Sequence, residues 1–357
     1  MKDYKRLGDY IREVNVRNRE LKVKKPMGIN IDKHFMPSVA NVIGTDLSTY
    51  KLVSKMQFAC NLMHVGRDEK IPMAMHTGDN PIIVSPAYFV FEVTNTDQLL
   101  PEYLMMWFRR PEFDRNAWFY TDADVRGGMG KESLLDMQLP IPSITRQREI
   151  VAEYETLTHR IRLNEQMIQH LADTAQSLYR KMFVDGIDKE NLPEGWRIGT
   201  LGEICEVKYG KNHEGISKGT IPIYGSGGIM RYGNMAIYSN ESVLIPRKGS
   251  LNNIMYVNNP FWTVDTMFYT TMKQPFIAKY LYFNLIKYDF LSMDTGSAVP
   301  SMTTNILNMI KLIIPTQEIL KYFNEKVSNI YDNISIKKIE NSKLTELQSL
   351  LLAKMGQ

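Results

Sequence analysis

Residues 150–182 read IVAEYETLTHRIRLNEQMIQHLADTAQSLYRKM, and this stretch decides the fold. Apolar or small side chains recur at alternating intervals of three and four residues, and only Asn164 interrupts them. This spacing predicts a long helix with one apolar face of the kind that forms a coiled-coil seam. The other seam members are Ile150, Tyr154, Leu157, Ile161, Ile168, Leu171, Ala175, Leu178 and Met182.

The same pattern occurs again 173 positions later, and both seams become polar near the middle, at Asn164 and Lys337. A polar seam residue lowers stability but fixes the register of a coiled coil. The sequence therefore predicts two spacer helices, 146–183 and 316–357. The second seam consists of Val327, Ile330, Ile334, Lys337, Asn341, Leu344, Gln348, Leu351 and Met355.

The direction of packing follows from helix length. A helix of about 38 residues rises about 57 Å. If the two helices ran parallel, the segment between them would have to carry the chain back over that whole length. We therefore expect an antiparallel coiled coil.

The region before each helix is also repeated. Leu7-Gly8-Asp9 corresponds to Leu201-Gly202-Glu203, and short apolar runs alternate with turn residues in both halves. The sequence thus predicts an α+β protein with two mixed α/β domains in tandem, 1–145 and 197–315, joined by a polar linker, 184–196. Further pairs are Tyr103-Leu104 with Tyr280-Leu281 and Leu139–Pro142 with Leu312–Pro315.

Composition excludes several classes of protein. The net charge of +4 over 357 residues is too small to establish nucleic-acid binding. No run approaches the roughly 18 apolar residues of a membrane helix, so a cytoplasmic protein is expected. Cys60 and Cys205 stand alone and the six histidines show no metal spacing, which indicates reduced, buried thiols and no zinc site.

Five segments of the second half carry a family resemblance: Leu192–Trp196, Leu201–Ile204, Ile221–Ile229, Leu244–Ser250 and Gly296–Met302. Together they resemble a target-recognition domain of the specificity subunits of type I restriction–modification enzymes. The first half matches more loosely, because Arg126-Gly127-Gly128-Met129 stands where the Gly-Ser-Ala-Val-Pro segment belongs.

The resemblance implies a subunit without a catalytic site that reads a bipartite target in double-stranded DNA. Two modification subunits would bind the helical spacer and methylate adenine with S-adenosylmethionine, so this chain would hold no cofactor itself. Restriction subunits that translocate DNA would join them, with no membrane involved. The helices would set the gap between the half-sites, whereas the target bases cannot be read from the sequence.

Candidate DNA contacts combine small loop residues, which allow close backbone approach, with cations that bind phosphates or guanine. They are Tyr224, Gly225, Ser226, Gly227, Arg247, Lys248 and Ser250 in the second half, and Arg126 and Lys131 in the first. The predicted spacer and partner-binding residues are Tyr154, Leu157, Ile161, Leu171, Leu178, Val327, Ile330, Ile334, Leu344 and Leu351.

Two other classes stay open. A coiled-coil adaptor that binds proteins through its two globules would use similar loops. An autonomous methyltransferase or nuclease is less well supported, because Asn259-Pro260-Phe261 lacks the second proline of an Asn-Pro-Pro-aromatic active site. Gly127–Ser133 does not match a phosphate loop, because Glu132 stands where such a loop needs Ser or Thr. Gly225–Gly228 has no nearby His for a nucleophile turn, and acidic residues such as Asp265 and Asp294 form no nuclease cluster.

Overall fold

The structure is a computed structural model, and it describes residues 4–39, 44–63, 65–121, 127–292 and 302–356. Two compact units divide the chain. Unit 1 comprises Met1–Asn164 with Ile339–Gln357, and unit 2 comprises Glu165–Lys338. Each unit therefore takes one part of each long helix.

Unit 1 begins with short strands and ends with helices. The strands are β1 (Tyr4–Arg6), β2 (Ile11–Glu13), β3 (Met27–Ile29), β4 (Phe35–Pro37), β5 (Lys51–Val53), β6 (Phe58–Cys60), β7 (Met73–Met75), β8 (Ile82–Val84), β9 (Phe89–Val93) and β10 (Gln138–Pro140). The helices are α1 (Val65–Asp68), α2 (Pro101–Phe108), α3 (Pro111–Phe119), α4 (Lys131–Leu135) and the start of α5 (Ile144–Phe183).

The core of unit 1 lies between a four-stranded antiparallel sheet and helix α2. The strand order is β2-β9-β6-β7, and β1 pairs separately with β10. Phe58 and Phe91 stack on neighbouring strands with ring centroids 5.0 Å apart, and Phe108 of α2 meets Phe58 edge-on. Offset and edge-on aromatic pairs of this kind stabilise a core beyond the area they bury. The last part of the chain contributes Leu352 and Met355 to the same core.

Unit 2 repeats this plan. Its strands are β11 (Arg197–Thr200), β12 (Cys205–Tyr209), β13 (Ile221–Gly225), β14 (Gly228–Gly233), β15 (Ser242–Pro246), β16 (Met255–Val257), β17 (Trp262–Thr263), β18 (Met267–Met272) and β19 (Lys311–Ile314). Its helices are α6 (Leu201–Ile204), α7 (Ile277–Leu285), α8 (Thr304–Asn308) and the start of α9 (Gln317–Met355).

The repeat is visible in topology and in hydrogen bonds. The sheet order β12-β18-β15-β16 reproduces β2-β9-β6-β7, and β11 pairs with β19 as β1 pairs with β10. The Tyr103 hydroxyl donates to the Pro140 carbonyl at 3.1 Å, and the Tyr280 hydroxyl donates to the Ile313 carbonyl. The prediction of two mixed α/β regions in tandem, each followed by a long helix, is confirmed.

Within unit 1 the two long helices run antiparallel. Arg160 Nε lies 2.6 Å from Glu340 Oε1, and Gln348 donates to Thr158 Oγ1 at 2.7 Å, so contacts move backwards along α9 as they move forwards along α5. That α5 and α9 wind around each other as a coiled coil stays a prediction.

The two polar residues that meet between the long helices, the polar layer, are not the expected pair. Asn164 is only 2% exposed, and its amide donates to Asn341 Oδ1 at 2.8 Å. The sequence repeat had singled out Lys337, because it occupies the equivalent place in the second helix. Antiparallel packing instead sets Asn164 against Asn341. A buried amide pair satisfies its own hydrogen bonds, and it disfavours registers that leave either amide unpaired.

The structure settles two further expectations and leaves one open. Cys60 and Cys205 are free and buried, as predicted, and burial raises the pKa of the Cys205 thiol to about 12. Within the described residues, no helix has the length and apolar character needed to cross a bilayer. The two long helices run over Ile144–Phe183 and Gln317–Met355. The predicted domain limits stay predictions.

Candidate nucleic-acid interface

In unit 2 the predicted small-residue loop is the tip of a hairpin. Strands β13 and β14 pair up to Gly225 and Gly228, which leaves Ser226 and Gly227 as a two-residue turn. Gly228 has a φ of +118°, a conformation that a side chain disfavours. Gly225 itself is buried against Met230, whereas a Cβ on Gly227 would meet nothing within 4 Å. Only the end of the loop therefore offers open backbone.

Tyr224 lies just before the turn, opposite Ile229, and not in the turn itself. Its ring meets Phe261 edge-on with centroids 6.4 Å apart, and burial raises the pKa of its hydroxyl. The side chain is half-buried. Tyr224 is consequently in a position to support the turn at Ser226 and Gly227.

A second loop, Arg247 to Ser250, follows strand β15 and touches the hairpin tip. We call these four residues the basic loop. Gly249 has a φ of +81°, and a Cβ there would come within 2.7 Å of Ser226 Oγ. Asn253, further along the same connection, donates to the Ser226 carbonyl at 2.8 Å. The structure thus joins two separate sequence segments into one surface.

The cations of the basic loop differ in how firmly they are held. The Arg247 guanidinium donates to the Asp265 carbonyl at 3.3 Å and lies 5.4 Å from the centre of the Tyr209 ring. Lys248 and Ser250 are exposed, and Lys248 has no ion-pair partner in the part of the chain that the structure describes. Arg247 is therefore oriented by its neighbours, while Lys248 is available to a phosphate.

The same place in unit 1 has different chemistry. The Met302 amide donates to the Arg247 carbonyl at 2.9 Å, and the Met129 amide donates to the Leu62 carbonyl at 2.9 Å. Leu62 follows β6 as Arg247 follows β15. This bond supports the alignment of Arg126–Met129 with the segment ending at Met302. Arg126 and residues 296–301 lie outside the described residues.

Lys131, the other predicted contact in unit 1, is engaged within the protein. Its ammonium pairs with the Glu13 carboxylate and lies 5.1 Å from the centre of the Phe89 ring. A phosphate would have to compete with Glu13 for this cation. The role of Lys131 in DNA binding stays a prediction that the geometry does not favour.

Sequence reasoning missed three consecutive aromatic residues at the end of α3. Trp118, Phe119 and Tyr120 are 48%, 79% and 51% exposed, and we call them the aromatic tip. Thr121 directly follows them and forms an antiparallel bridge with Met129. The aromatic tip is therefore attached to the loops that correspond to the basic loop of unit 2. No sequence pattern indicated it, because hydrophobicity alone does not reveal which side of a helix is exposed.

The predicted seam residues point inward in both units. Tyr154, Leu157, Ile161, Leu344 and Leu351 are all half-buried in unit 1. In unit 2, Val327 belongs to the core, and Leu178 and Ile330 are partly buried against it. Ile334 is buried and Leu171 is half-buried. These positions build the helix pair, and a role in binding partners stays a prediction.

The motifs of the rival enzyme classes gain no support. Asn259 and Pro260 lie in the bend between β16 and β17. The described residues contain no group of three or more His, Cys, Asp or Glu that could hold a metal ion. Asp294 and His64 lie outside the described residues.

Comparison with known proteins favours one of these classes for part of the chain. The profile of the type I restriction modification DNA specificity domain matches residues 193–349. This part of the chain is similar to that domain family. The match takes in the hairpin tip and the basic loop, and it confirms the resemblance seen in the sequence. Residues 1–192 lie outside the matched range.

Two relatives extend the comparison. The chain is 34% identical over 87 residues to the type I restriction enzyme HindI specificity subunit of Haemophilus influenzae, a match that covers 24% of this chain and 17% of that protein. The fold resembles the crystal structure of the type I restriction–modification system S subunit from M. genitalium. That similarity has a TM-score of 0.62 at 15% identity and covers 100% of this chain and 96% of the other.

Proposed function

We propose that this chain is the DNA-specificity subunit of a type I restriction–modification system and has no catalytic activity of its own. It reads a bipartite target in double-stranded DNA, one half-site with each unit. The observation that carries the proposal is the specificity-domain match over residues 193–349, combined with a second unit of the same topology.

The geometry of unit 2 supports a DNA-reading role. The hairpin tip and the basic loop combine open backbone with an oriented guanidinium and an exposed ammonium, which suit base edges and phosphates. Arg and Lys donate to guanine O6 and N7, and each well-placed bidentate pair discriminates by about 1–3 kcal/mol. We assign base contacts to Ser226, Gly227 and Arg247, and phosphate contacts to Lys248 and Ser250.

The proposal includes partner proteins in the cytoplasm. Two modification subunits would bind along the helical spacer, hold S-adenosylmethionine and methylate adenine in the target. Restriction subunits that translocate DNA would join this assembly. The helix pair would set the number of base pairs between the half-sites.

Sequencing of methylated adenines tests the proposal directly. Cells that carry this chain with its modification subunits should show methylation at one bipartite motif, and cells that lack this chain should not. The purified chain alone should transfer no labelled methyl group from S-adenosylmethionine and should not cut DNA. Methyl transfer by the homogeneous chain would refute the non-catalytic role.

The adaptor alternative makes a different prediction. A specificity subunit should be retained on duplex DNA in a salt-dependent way, because phosphate contacts release counterions. An adaptor for proteins should show no such retention, and deleting it should leave the methylation pattern unchanged.

A further inference from the structure

The aromatic tip of unit 1 is exposed although the helix that carries it is firmly packed. Phe113 and Ala117 of the same helix are buried, so α3 is anchored to the core by its other side. Phe119 is nevertheless 79% exposed, and its ring lies edge-on to Tyr120 at 5.5 Å. Three adjacent aromatic side chains exposed on a well-packed helix are characteristic of a surface that binds something.

The position of the aromatic tip indicates what it binds. The bridge from Thr121 to Met129 and the hydrogen bond from Met129 to Leu62 connect it to the connection that follows β6. That connection corresponds to the basic loop of unit 2. We propose that the aromatic tip is the DNA-contacting element of unit 1, with its rings packed against base faces or inserted at a base step. This inference rests on the proposed function.

The residues beside the aromatic tip fit DNA. Arg115 lies one turn earlier on the same helix face as Trp118 and Phe119, and its side chain is 69% exposed. Its guanidinium approaches Glu112 at 3.3 Å across exposed surface, an arrangement that costs little to exchange for a phosphate. Aromatic or apolar wedges that unstack a base step, flanked by cations on phosphates, are a known way to hold a bent duplex.

The experiment uses the complete assembly with its modification subunits and a duplex that carries its methylation motif. Phe119→Ala and Trp118→Ala should each weaken binding about 10-fold, the size of one base stacked on an aromatic ring. The slope of affinity against salt concentration should stay unchanged, because no phosphate contact is lost. Phe119→Tyr should keep the wild-type affinity, because it keeps the ring. Ile198→Ala, which removes an apolar side chain that is 57% exposed on β11, is the control.

Fluorescence gives an independent measurement. With 2-aminopurine placed through the half-site, the wild-type assembly should raise emission at one position, where a base is unstacked. Phe119→Ala should abolish that signal.

The outcomes separate this inference from the proposed function. If the wild-type assembly showed no sequence-dependent binding, both would fall. If it bound and Phe119→Ala bound equally well, only the role of the aromatic tip would be wrong. Loss of modification subunits from the Phe119→Ala assembly, with DNA affinity of the remainder intact, would show a protein-docking surface and overturn the inference.

Discussion

The two units have the same sheet order but present different side chains at the loop that follows the third strand of the sheet, β6 or β15. In unit 2 that loop begins with Arg247 and Lys248 and packs against a hairpin tip. In unit 1 it begins with Asn61 and Leu62 and adjoins three exposed aromatic residues. The hydrogen bonds from Met129 and Met302 are the same, so the scaffold is retained while the surface chemistry changes. Polar contacts read base edges and aromatic contacts read base faces, which would allow one fold to address two unrelated half-sites.

The largest expected effect concerns what both units share, the helix pair. Within unit 2, Tyr179 of α5 meets Phe323 of α9 with ring centroids 6.2 Å apart. Counting in opposite directions from this contact, the stretch from Leu171 to Leu178 faces residues 324–331. A heptad inserted into each of these two stretches preserves both seams.

Such a double insertion should lengthen the gap of the recognised motif by about three base pairs, because seven helical residues rise about 10 Å and each base pair about 3.4 Å. Methylated-adenine sequencing measures the gap. A single insertion should lower the stability of the protein, because the added heptad has no matching residues in the other helix. An unchanged gap with both half-sites still read would mean that the helices do not set the spacing.

The choice of insertion sites depends on the structure. The sequence repeat alone would pair an insertion after Leu171 with one after Leu344, its equivalent in the second helix. That combination shifts the middle of the pair by one heptad and separates Asn164 from Asn341. It serves as the matched control, with the same number of added residues and lower stability.

The second prediction tests whether the basic loop of unit 2, the charged counterpart of the aromatic tip, contacts DNA. Arg247→Ala and Lys248→Ala should each weaken DNA binding by up to about 10-fold. Lys248→Ala should also flatten the salt dependence by about one unit, because it loses a phosphate contact. Titrations at several salt concentrations give both quantities. Lys189→Ala in the exposed linker is the control. Unchanged affinity and slope in both variants would remove the basic loop from the interface.

The third prediction concerns the polar layer. Asn164→Leu should lower the free energy of unfolding by about 1–3 kcal/mol, because it leaves the Asn341 amide without its partner at 2.8 Å. Asn164→Leu combined with Asn341→Leu should recover that loss while weakening the preference for a single register. Urea unfolding measures the first effect. Equal stabilities of the single and double variants would contradict it.

The smallest expected effect compares one glycine from each unit. A Cβ on Gly127 would come within 2.8 Å of the Gly66 Cα, whereas a Cβ on Gly249 would meet the Ser226 side chain. Gly127→Ala should cost about 2 kcal/mol, since backbone cannot give way, and Gly249→Ala about 1 kcal/mol. Adding Ser226→Ala should relieve part of the Gly249→Ala cost in thermal unfolding. A larger cost at Gly249 than at Gly127 would contradict this ranking.

Local sequence patterns were sufficient to predict most of the fold. The alternating spacing predicted which helix residues, from Tyr154 to Leu351, face inward. In a helix, the spacing along the chain alone determines which side chains share a face. The partner of Asn164 could not be read in this way, since Asn341 is set by antiparallel packing and not by the repeat. The sequence supplied both residues of the layer but not their pairing.

The candidate site was less predictable. Arg247 and Lys248 were recognisable because cations beside a glycine stand out in a loop. The pairing of Lys131 with Glu13 joins positions that are far apart in the chain, and no local signal indicates it. The exposure of Phe119 depends on which side of α3 meets the core. Such properties arise from tertiary contacts, which a single sequence does not encode locally.

The division of the chain into units also bears on the order of folding. Unit 2 is continuous, Glu165–Lys338, whereas unit 1 needs Ile339–Gln357 in addition to the first 164 residues. Leu352 and Met355 are part of the unit 1 core, and the Tyr4 hydroxyl donates to the Gly356 carbonyl at 3.0 Å. During synthesis the later half can therefore complete its core before the earlier half. In limited proteolysis, a chain that stops at residue 338 should keep unit 2 resistant while unit 1 is cut, so the segment that emerges first would be the last to become protected.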